Sequence, residues 1–185
     1  MTQPQSLWDI DVLTEAGQSQ KISELLQEQW TLVLLFRHAE CIECSMLVYE
    51  LQPMYAQLKQ WNVQLLAVGN GPYESLARLR ERLSLPASVT VCSDPTLQLH
   101  QNLELHSGWT RSFGGRAMMS FISAMIEGHF QTKLLAPNMP QQSGLVLLNP
   151  QKERCWQHSS THLGDIPSAG EIMEQILLHR SGGGE

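Results

Sequence analysis

The stretch that most constrains the fold runs from Thr31 to Cys44 and reads TLVLLFRHAECIEC. Its first six residues are almost all apolar, which is typical of a buried strand covered on both faces of a sheet. A C-x-x-C pair follows, and an amphipathic helical pattern begins directly behind it. A strand that delivers two cysteines to a helix N-terminus indicates thiol chemistry, because unpaired N–H groups and the helix dipole stabilise a thiolate there.

The rest of the chain alternates strand and helix patterns around this stretch. The predicted elements are a half-buried strand at 8–12, the buried strand at 31–36, a helix at 44–61 that Pro53 should kink, a strand at 63–68, a helix at 76–83, a strand at 89–92, a helix opened by Asp94-Pro95, strands at 145–148 and 154–158, and a last helix opened by Ser168 and Glu171. This order predicts an α/β sheet with parallel strand pairs.

Residues 104–143 interrupt the alternation with a methionine-rich stretch that has no strand pattern. A structureless connection of that length is uncommon, so the stretch is predicted to be a helical insertion or lid. No repeat or second core pattern is present. We therefore expect one domain over 1–180 and a flexible glycine-rich tail at 181–185.

Charge and hydropathy exclude several classes of function. The formal net charge is −6 and no lysine or arginine cluster is present, which argues against nucleic-acid binding. No apolar run reaches the roughly 18 residues that a membrane span requires. The N-terminus has neither the basic nor the apolar region of a secretory signal, so a cytoplasmic protein is expected. In a reducing compartment a C-x-x-C pair is catalytic or metal-binding rather than structural.

The two cysteines of this pair are predicted to have different roles. Cys41 precedes the helix and is placed to be the attacking thiolate, with Arg37 and His38 as the cations or donors nearest in sequence. Cys44, one turn inside the helix, is placed to attack a mixed disulfide or sulfenic acid on Cys41.

Alternative interpretations of the cysteines remain open, including a pair of buried small apolar residues. A zinc site would need two further ligands. The remaining candidate ligands are scattered singly along the chain, so no metal is expected. These candidates are Cys92, Cys155, His158 and His162. Cys92 lies in an apolar strand and is predicted to be a core residue. Cys155 is predicted to be a free thiol or a distant resolving cysteine.

The segment from Leu34 to Cys44 resembles the Phe-x-Arg-His-x-x-Cys-x-x-Cys segment of the peroxiredoxin-like AhpC/TSA family. Further pieces resemble that family in the expected order: Leu66-Ala-Val-Gly69, Cys92-Ser-Asp-Pro95, the strand from Ser143 to Pro150, and His162-Leu-Gly-Asp-Ile-Pro167. The resemblance implies a thioredoxin-like fold, a central mixed sheet flanked by helices, with a peroxiredoxin-type N-terminal extension. It also implies thiol-dependent reductase or antioxidant activity.

The resemblance assigns the same roles to Cys41 and Cys44, and it adds Ser143 and Gly144 to Arg37 and His38 as supporting residues. It implies thioredoxin or glutathione as the reductant, a small oxidised or peroxide substrate, and no cofactor. A homodimer is compatible with it.

Two positions depart from the typical peroxiredoxin motif Pro-x-x-x-Thr-x-x-Cys, because Leu34 and His38 replace its proline and threonine. Glu43, between the two cysteines, opposes formation of a thiolate. These departures favour a two-cysteine reductase over a dedicated peroxidase. A true thiol peroxidase, a non-catalytic thioredoxin-fold binding module that docks through 104–143, and a copper or zinc carrier are the alternatives.

Overall fold

The computed structural model describes residues 7–36, 42–105, 143–162 and 164–181. Its elements are β1 (Asp11–Thr14), β2 (Ser19–Lys21), α1 (Ile22–Leu25), β3 (Trp30–Leu35), α2 (Ile42–Leu51), a 3₁₀ turn (Gln52–Met54), α3 (Tyr55–Gln60), β4 (Val63–Gly69), α4 (Glu74–Arg82), β5 (Thr90–Ser93), α5 (Gln98–Asn102), β6 (Gly144–Leu148), β7 (Arg154–Ser159) and α6 (Ala169–Ser181). Within these ranges the strands form one sheet in the order β2-β1-β5-β4-β3-β6-β7.

The sheet is mixed, and the predicted buried strand lies near its centre. β3 runs parallel to β4 and β4 parallel to β5, whereas β6 is antiparallel to β3. Residues 32–35 of β3 are fully buried, as expected for a strand covered on both faces. The predicted mixed sheet flanked by helices is therefore confirmed.

Alternate side chains of β3 enter two apolar layers, one on each face of the sheet. Leu32 and Leu34 belong to the layer covered by α2, α3, α4 and α6. Val33 and Leu35 belong to the opposite layer, which α1, α5 and the chain before β1 cover. The helices thus sandwich the sheet, and α2 and α5 approach β3 from opposite sides.

Pro53 has the predicted effect on the helix that follows the cysteines. A 3₁₀ turn at Gln52–Met54 separates α2 from α3, because proline has no N–H to donate to the preceding turn. The predicted capping box is also present. Ser168 N donates to Glu171 Oε2 at 2.7 Å, and Glu171 N donates to Ser168 Oγ at 3.3 Å.

The N-terminal strand lies later in the chain than predicted. Residues 8 and 10 are buried, but their carbonyls accept hydrogen bonds from Ser23 N and Ile22 N, and the strand begins only at Asp11. β1 turns at Gly17, where φ is +73°, and pairs with β2 as a hairpin. This hairpin forms the edge of the sheet on the N-terminal side.

The predicted insertion at 104–143 lies outside the described residues except for its first two positions and its last. The predicted tail also lies outside them, apart from Ser181, which α6 includes. Of the helices in the described ranges, none has the length and apolar character needed to cross a membrane.

Candidate redox site

The C-terminal ends of the three parallel strands meet at one edge of the sheet, which we call the carboxyl edge. It comprises Phe36 after β3, Asn70 after β4 and Asp94 after β5. The register aligns these ends, because Phe36 N donates to Val68 O at 2.9 Å and Asp94 N donates to Gly69 O at 2.8 Å. In open sheets with parallel strands this edge is where ligands bind.

Of the predicted thiol pair, Cys44 lies within the described residues. Cys44 falls in the first turn of α2, and its side chain is 0% exposed within the apolar layer that includes Phe36 and Leu47. The neighbouring Glu43 side chain is also fully buried. The predicted residues Arg37, His38 and Cys41 lie outside the described residues.

The predicted supporting residues Ser143 and Gly144 do lie beside the end of β3. Gly144 pairs with Leu35 on one side and with Ser159 on the other. A Cβ atom at position 144 would lie 2.8 Å from Leu105 Cδ2 and 3.1 Å from the His158 carbonyl oxygen. Glycine is therefore needed at position 144, because Leu105 and the main chain of His158 lie too close for a Cβ atom.

Ser143 belongs to a buried hydrogen-bond chain that joins β6 to the segment after β7. Its Oγ lies 3.0 Å from Ser160 Oγ, and Ser160 Oγ donates to the carbonyl of Asp165 at 2.8 Å. Ser143 is 1% exposed. These contacts give Ser143 a structural role next to the carboxyl edge.

The other two described cysteines have environments that suppress thiolate formation. Cys92 is fully buried, which confirms its predicted place in the core, and burial followed by the nearby Asp94 charge raises its pKa to about 12. Burial also raises the pKa of Cys155, and a hydrogen bond with the main chain of Asn149 opposes this rise. Its Sγ donates to the Glu153 carbonyl at 3.7 Å.

Cys155 also lies at the wrong end of the sheet for a resolving role. Its neighbour Trp156 pairs with Leu147, which pairs with Leu32 near the start of β3. From Leu32 to Phe36 a strand advances about 13 Å, at about 3.3 Å per residue. The alternative prediction of a distant resolving cysteine therefore has no support in the geometry.

Three buried polar residues lie at the carboxyl edge, and none of them was predicted from the sequence to be part of a site. Asp94, which the sequence indicated only as the start of a helix, is the best satisfied of them. It is 0% exposed, and its carboxylate accepts hydrogen bonds from Thr96 N at 3.1 Å, Thr96 Oγ1 at 2.6 Å and Leu99 N at 2.7 Å. The sequence predicted a helix directly after Asp94-Pro95. Instead α5 begins at Gln98, because Leu97 adopts a left-handed conformation with φ of +60°.

The other two missed residues carry polar atoms without partners. Asn70 is 4% exposed, and its Nδ2 has no hydrogen-bond partner among the described residues. His100 on α5 is 0% exposed, and neither ring nitrogen meets hydrogen-bond geometry with a group in the described ranges. A sequence signal for His100 existed, because it lies between Leu99 and Leu103 on the buried stripe of a helix.

Burial controls the charge of His100. Loss of solvent lowers its pKa to about 4, although the Asp94 charge and the nearby main chain of Phe36 oppose that shift. The ring is therefore neutral at pH 7, with one N–H donor and one acceptor nitrogen. In the described ranges, no group of three His, Cys, Asp or Glu side chains is arranged to hold a metal ion.

The mixed sheet with helices on both faces defines a thioredoxin-like fold. The profile of the AhpC/TSA antioxidant enzyme family matches residues 50–162. The chain belongs to this family, which confirms the resemblance seen in the sequence and the prediction of a thiol-dependent oxidoreductase. The matched region begins after Cys44 and so does not include the C-x-x-C pair.

Known relatives cover nearly the whole chain at low identity. The thioredoxin-like protein AAED1, chloroplastic, from Arabidopsis thaliana is 24% identical over 177 residues, which are 91% of this chain and 71% of that protein. The prediction of a cytoplasmic protein is wrong by this comparison, because the curated relative is chloroplastic.

Solved structures of peroxiredoxins share the fold. A cysteine-to-serine mutant of peroxiredoxin Q from Xanthomonas campestris has a TM-score of 0.65 at 9% identity and covers 97% of this chain and 96% of its own. Peroxidoxin BcpB from Mycobacterium tuberculosis has a TM-score of 0.63 at 11% identity, with 93% and 92% covered. The bacterioferritin comigratory protein of Xanthomonas campestris, described with alkyl peroxide reduction activity, has a TM-score of 0.62 at 9% identity, with 96% and 95% covered.

Proposed function

We propose that this chain is a thiol–disulfide oxidoreductase in which Cys41 and Cys44 cycle between a dithiol and a disulfide. The position of Cys44 carries the proposal. It lies buried in the first turn of the helix that follows the central strand, at the carboxyl edge of a thioredoxin-like sheet. Cys41, three residues earlier in the chain, is the attacking residue and Cys44 the resolving residue.

The cycle balances without a cofactor. The Cys41 thiolate attacks one oxygen of a hydroperoxide, the O–O bond breaks, and an alcohol leaves with a proton while Cys41 becomes a sulfenic acid. The Cys44 thiol then attacks the Cys41 sulfur, which releases water and forms the disulfide. With a small disulfide as oxidant, Cys41 attacks one sulfur and the first thiol leaves; Cys44 then attacks the Cys41 sulfur of the mixed disulfide and the second thiol leaves. Two thiols of a reductant restore the dithiol.

The environments of the described cysteines support this division of roles. Cys92 and Cys155 are disfavoured as nucleophiles, because burial raises the pKa of both thiols. The Cys44 side chain has no exposed surface, so a bulky oxidant cannot reach it before Cys41 has reacted. The proposed oxidant is a small oxidised or peroxide substrate, and the proposed reductant is thioredoxin or glutathione. By their place in the chain, Arg37 and His38 are the candidate cations beside the attacking thiol.

Mass spectrometry after sub-stoichiometric peroxide tests the proposal. Wild-type protein should gain a Cys41–Cys44 disulfide, whereas Cys44→Ser should accumulate a sulfenic acid on Cys41 that dimedone traps. Cys92→Ser and Cys155→Ser are the matched controls, and both should form the disulfide as wild type does. Oxidation that falls first on Cys92 or Cys155, or a Cys41–Cys44 pair inert in glutathione buffers from about −150 to −300 mV, would overturn the proposal.

Efficient peroxidase activity is the second candidate, and the peroxiredoxin-type structural relatives favour it. It predicts peroxide-dependent oxidation of NADPH through a thioredoxin system, lost in Cys41→Ser and reduced in Cys44→Ser. The replacement of the peroxiredoxin proline and threonine by Leu34 and His38 favours the reductase instead. A reductase predicts faster turnover with a small disulfide than with hydrogen peroxide.

A further inference from the structure

We propose that Arg82 controls access to Cys44, the resolving cysteine, by holding the first turn of α2 closed through a hydrogen bond to Ser45. Arg82 Nη1 donates to Ser45 Oγ at 2.7 Å, between residues 37 positions apart in the sequence. This inference deepens the proposed function and rests on it, because the order in which the two thiols react is part of that cycle. Arg82 is a positioning residue, since it acts through α2 and takes no part in the chemistry.

The contact joins the last residue of α4 to the first turn of the helix that carries Cys44. α4 ends at Arg82, and Ser45 directly follows Cys44 near the start of α2. A cation at the C-terminal end of α4 is favoured by the dipole of that helix, which helps to keep the guanidinium in place. Both side chains are half-buried, and a hydrogen bond from a charged donor is stronger than one between neutral groups.

The hydrogen bond lies next to the apolar layer in which Cys44 is buried. Cys44 shares that layer with Leu79 and Leu83 of the α4 region, and its side chain is 0% exposed. A reagent can therefore reach the Cys44 sulfur only when the first turn of α2 moves away from the layer. Ser45 must move with Cys44, so opening separates Ser45 Oγ from the Arg82 guanidinium. The free energy of this hydrogen bond thus adds to the cost of exposing Cys44.

The other end of α2 is attached to a different part of the fold. Glu50 Oε2 accepts a hydrogen bond from Ala169 N at 3.0 Å, at the start of α6, and the 3₁₀ turn at Gln52–Met54 follows. Loss of the Arg82–Ser45 contact should therefore loosen the first turn without releasing the rest of the helix. The contact keeps the resolving thiol covered until the attacking thiol has reacted.

The rate at which iodoacetamide alkylates Cys44 in the reduced full-length protein tests the inference, with each cysteine followed separately by peptide mass spectrometry. Arg82→Met and Ser45→Ala should each raise this rate by about threefold to tenfold, as expected for the loss of one hydrogen bond. The rate at Cys92 should stay at the wild-type value, because Cys92 lies within β5 and reports opening of the sheet. A merely structural role of the contact would raise both rates together.

Arg80→Met is the matched control, because it removes the same cation from the same helix. Arg80 donates to Glu15 and to two main-chain carbonyls, and these contacts do not involve α2. The Cys44 rate in Arg80→Met should stay within about twofold of wild type. In the Arg82→Met background, Ser45→Ala should leave the Cys44 rate unchanged or lower it, because the contact is already lost and alanine favours a helix more than serine does.

The outcomes that would overturn the inference are specific. They are equal increases at Cys44 and Cys92, wild-type Cys44 rates in both single variants, and additive increases in the double variant. If Arg82→Met does not fold, the Cys44 rate in Ser45→Ala decides alone. The labelling requires no redox cycle, so unchanged Cys44 rates in a protein that forms the disulfide would refute this inference only. A wild-type protein that forms no Cys41–Cys44 disulfide would instead refute the proposed function.

Discussion

Replacing Gly144 by alanine tests the packing of β6 against the end of β3 and the segment after α5. The added Cβ would lie 2.8 Å from Leu105 Cδ2, 3.3 Å from Leu105 Cδ1 and 3.1 Å from the His158 carbonyl oxygen. Carbon atoms in favourable contact are about 3.5–4.0 Å apart, so the nearest contact overlaps by roughly 0.7 Å or more. Gly144→Ala should therefore destabilise the fold.

The magnitude follows from how little the neighbours can move. Leu105 is 7% exposed and lies in the apolar layer with Leu103 and Val146, so its side chain cannot swing into solvent. The His158 oxygen is main chain within the β6–β7 pairing. Overpacking of this kind costs about 1–3 kcal/mol, and for a chain of this size each kcal/mol lowers the melting temperature by about 2–4 °C. A loss of about 2 kcal/mol should thus lower it by about 4–8 °C.

Urea unfolding followed by circular dichroism, with differential scanning calorimetry, measures this loss. A double-mutant cycle with Leu105→Ala isolates its cause. Leu105→Ala alone should cost about 2–5 kcal/mol, because it removes buried methyl groups. In that background Gly144→Ala should cost less than about 1 kcal/mol, since the space it needs is already open.

Gly170→Ala is the control for the general effect of adding a methyl group. Its Cβ would meet only Ser168 Oγ, at 3.9 Å, at the start of α6. We expect it to stabilise the protein by about 0.4–1 kcal/mol, because alanine restricts the unfolded chain. Wild-type stability of Gly144→Ala, or an equal cost in the Leu105→Ala background, would refute the overlap as the reason for glycine at this position.

Four further predictions concern the rest of the fold. Arg80→Met should lower the free energy of unfolding at pH 7 by about 1–3 kcal/mol in urea titrations. The reason is that Arg80 donates hydrogen bonds to both Glu15 carboxylate oxygens and to two main-chain carbonyls. An unchanged urea midpoint of unfolding would contradict this. The hydrogen bond from Arg80 lowers the pKa of Glu15. The difference in unfolding free energy between wild type and Glu15→Gln should therefore be complete above about pH 4.3 and should shrink as the pH falls through the lowered pKa. A difference that does not change with pH would refute the pairing. Native Cys92 should resist iodoacetamide because burial raises its pKa to about 12, and rapid alkylation without unfolding would count against that burial. Tyr55→Phe should keep or raise the melting temperature, because the buried hydroxyl has no partner among the described residues, and a loss above about 1 kcal/mol would reveal one.

The sequence predicted the elements whose periodicity and end signals agree. The buried strand at 31–36, the break at Pro53 and the capping box of Ser168 with Glu171 are all present. Each rests on local chemistry: a continuous apolar run, a missing N–H, and a pair of reciprocal side-chain bonds. Such signals do not depend on distant parts of the chain.

The misses depend on contacts that the sequence does not display. β2 is a short polar edge strand, Ser19–Lys21, whose pairing with β1 follows from the turn at Gly17 rather than from any apolar pattern. Trp8 looked like the start of a strand because residues 8–12 alternate apolar and polar, but tertiary packing buries it outside the sheet. His100 is a single histidine whose complete burial appears only when α5 packs against the sheet.

The break at Pro53 also determines how far a structural change in α2 can spread. α2 has 10 residues, and the 3₁₀ turn separates its hydrogen-bond ladder from that of α3. Local opening costs less than global unfolding when the cooperative unit is short. Opening of the first turn, which would bring Cys44 out of the core in the proposed cycle, therefore need not pass into α3 or β4. The hydrogen-exchange protection of α3 should stay the same in both redox forms.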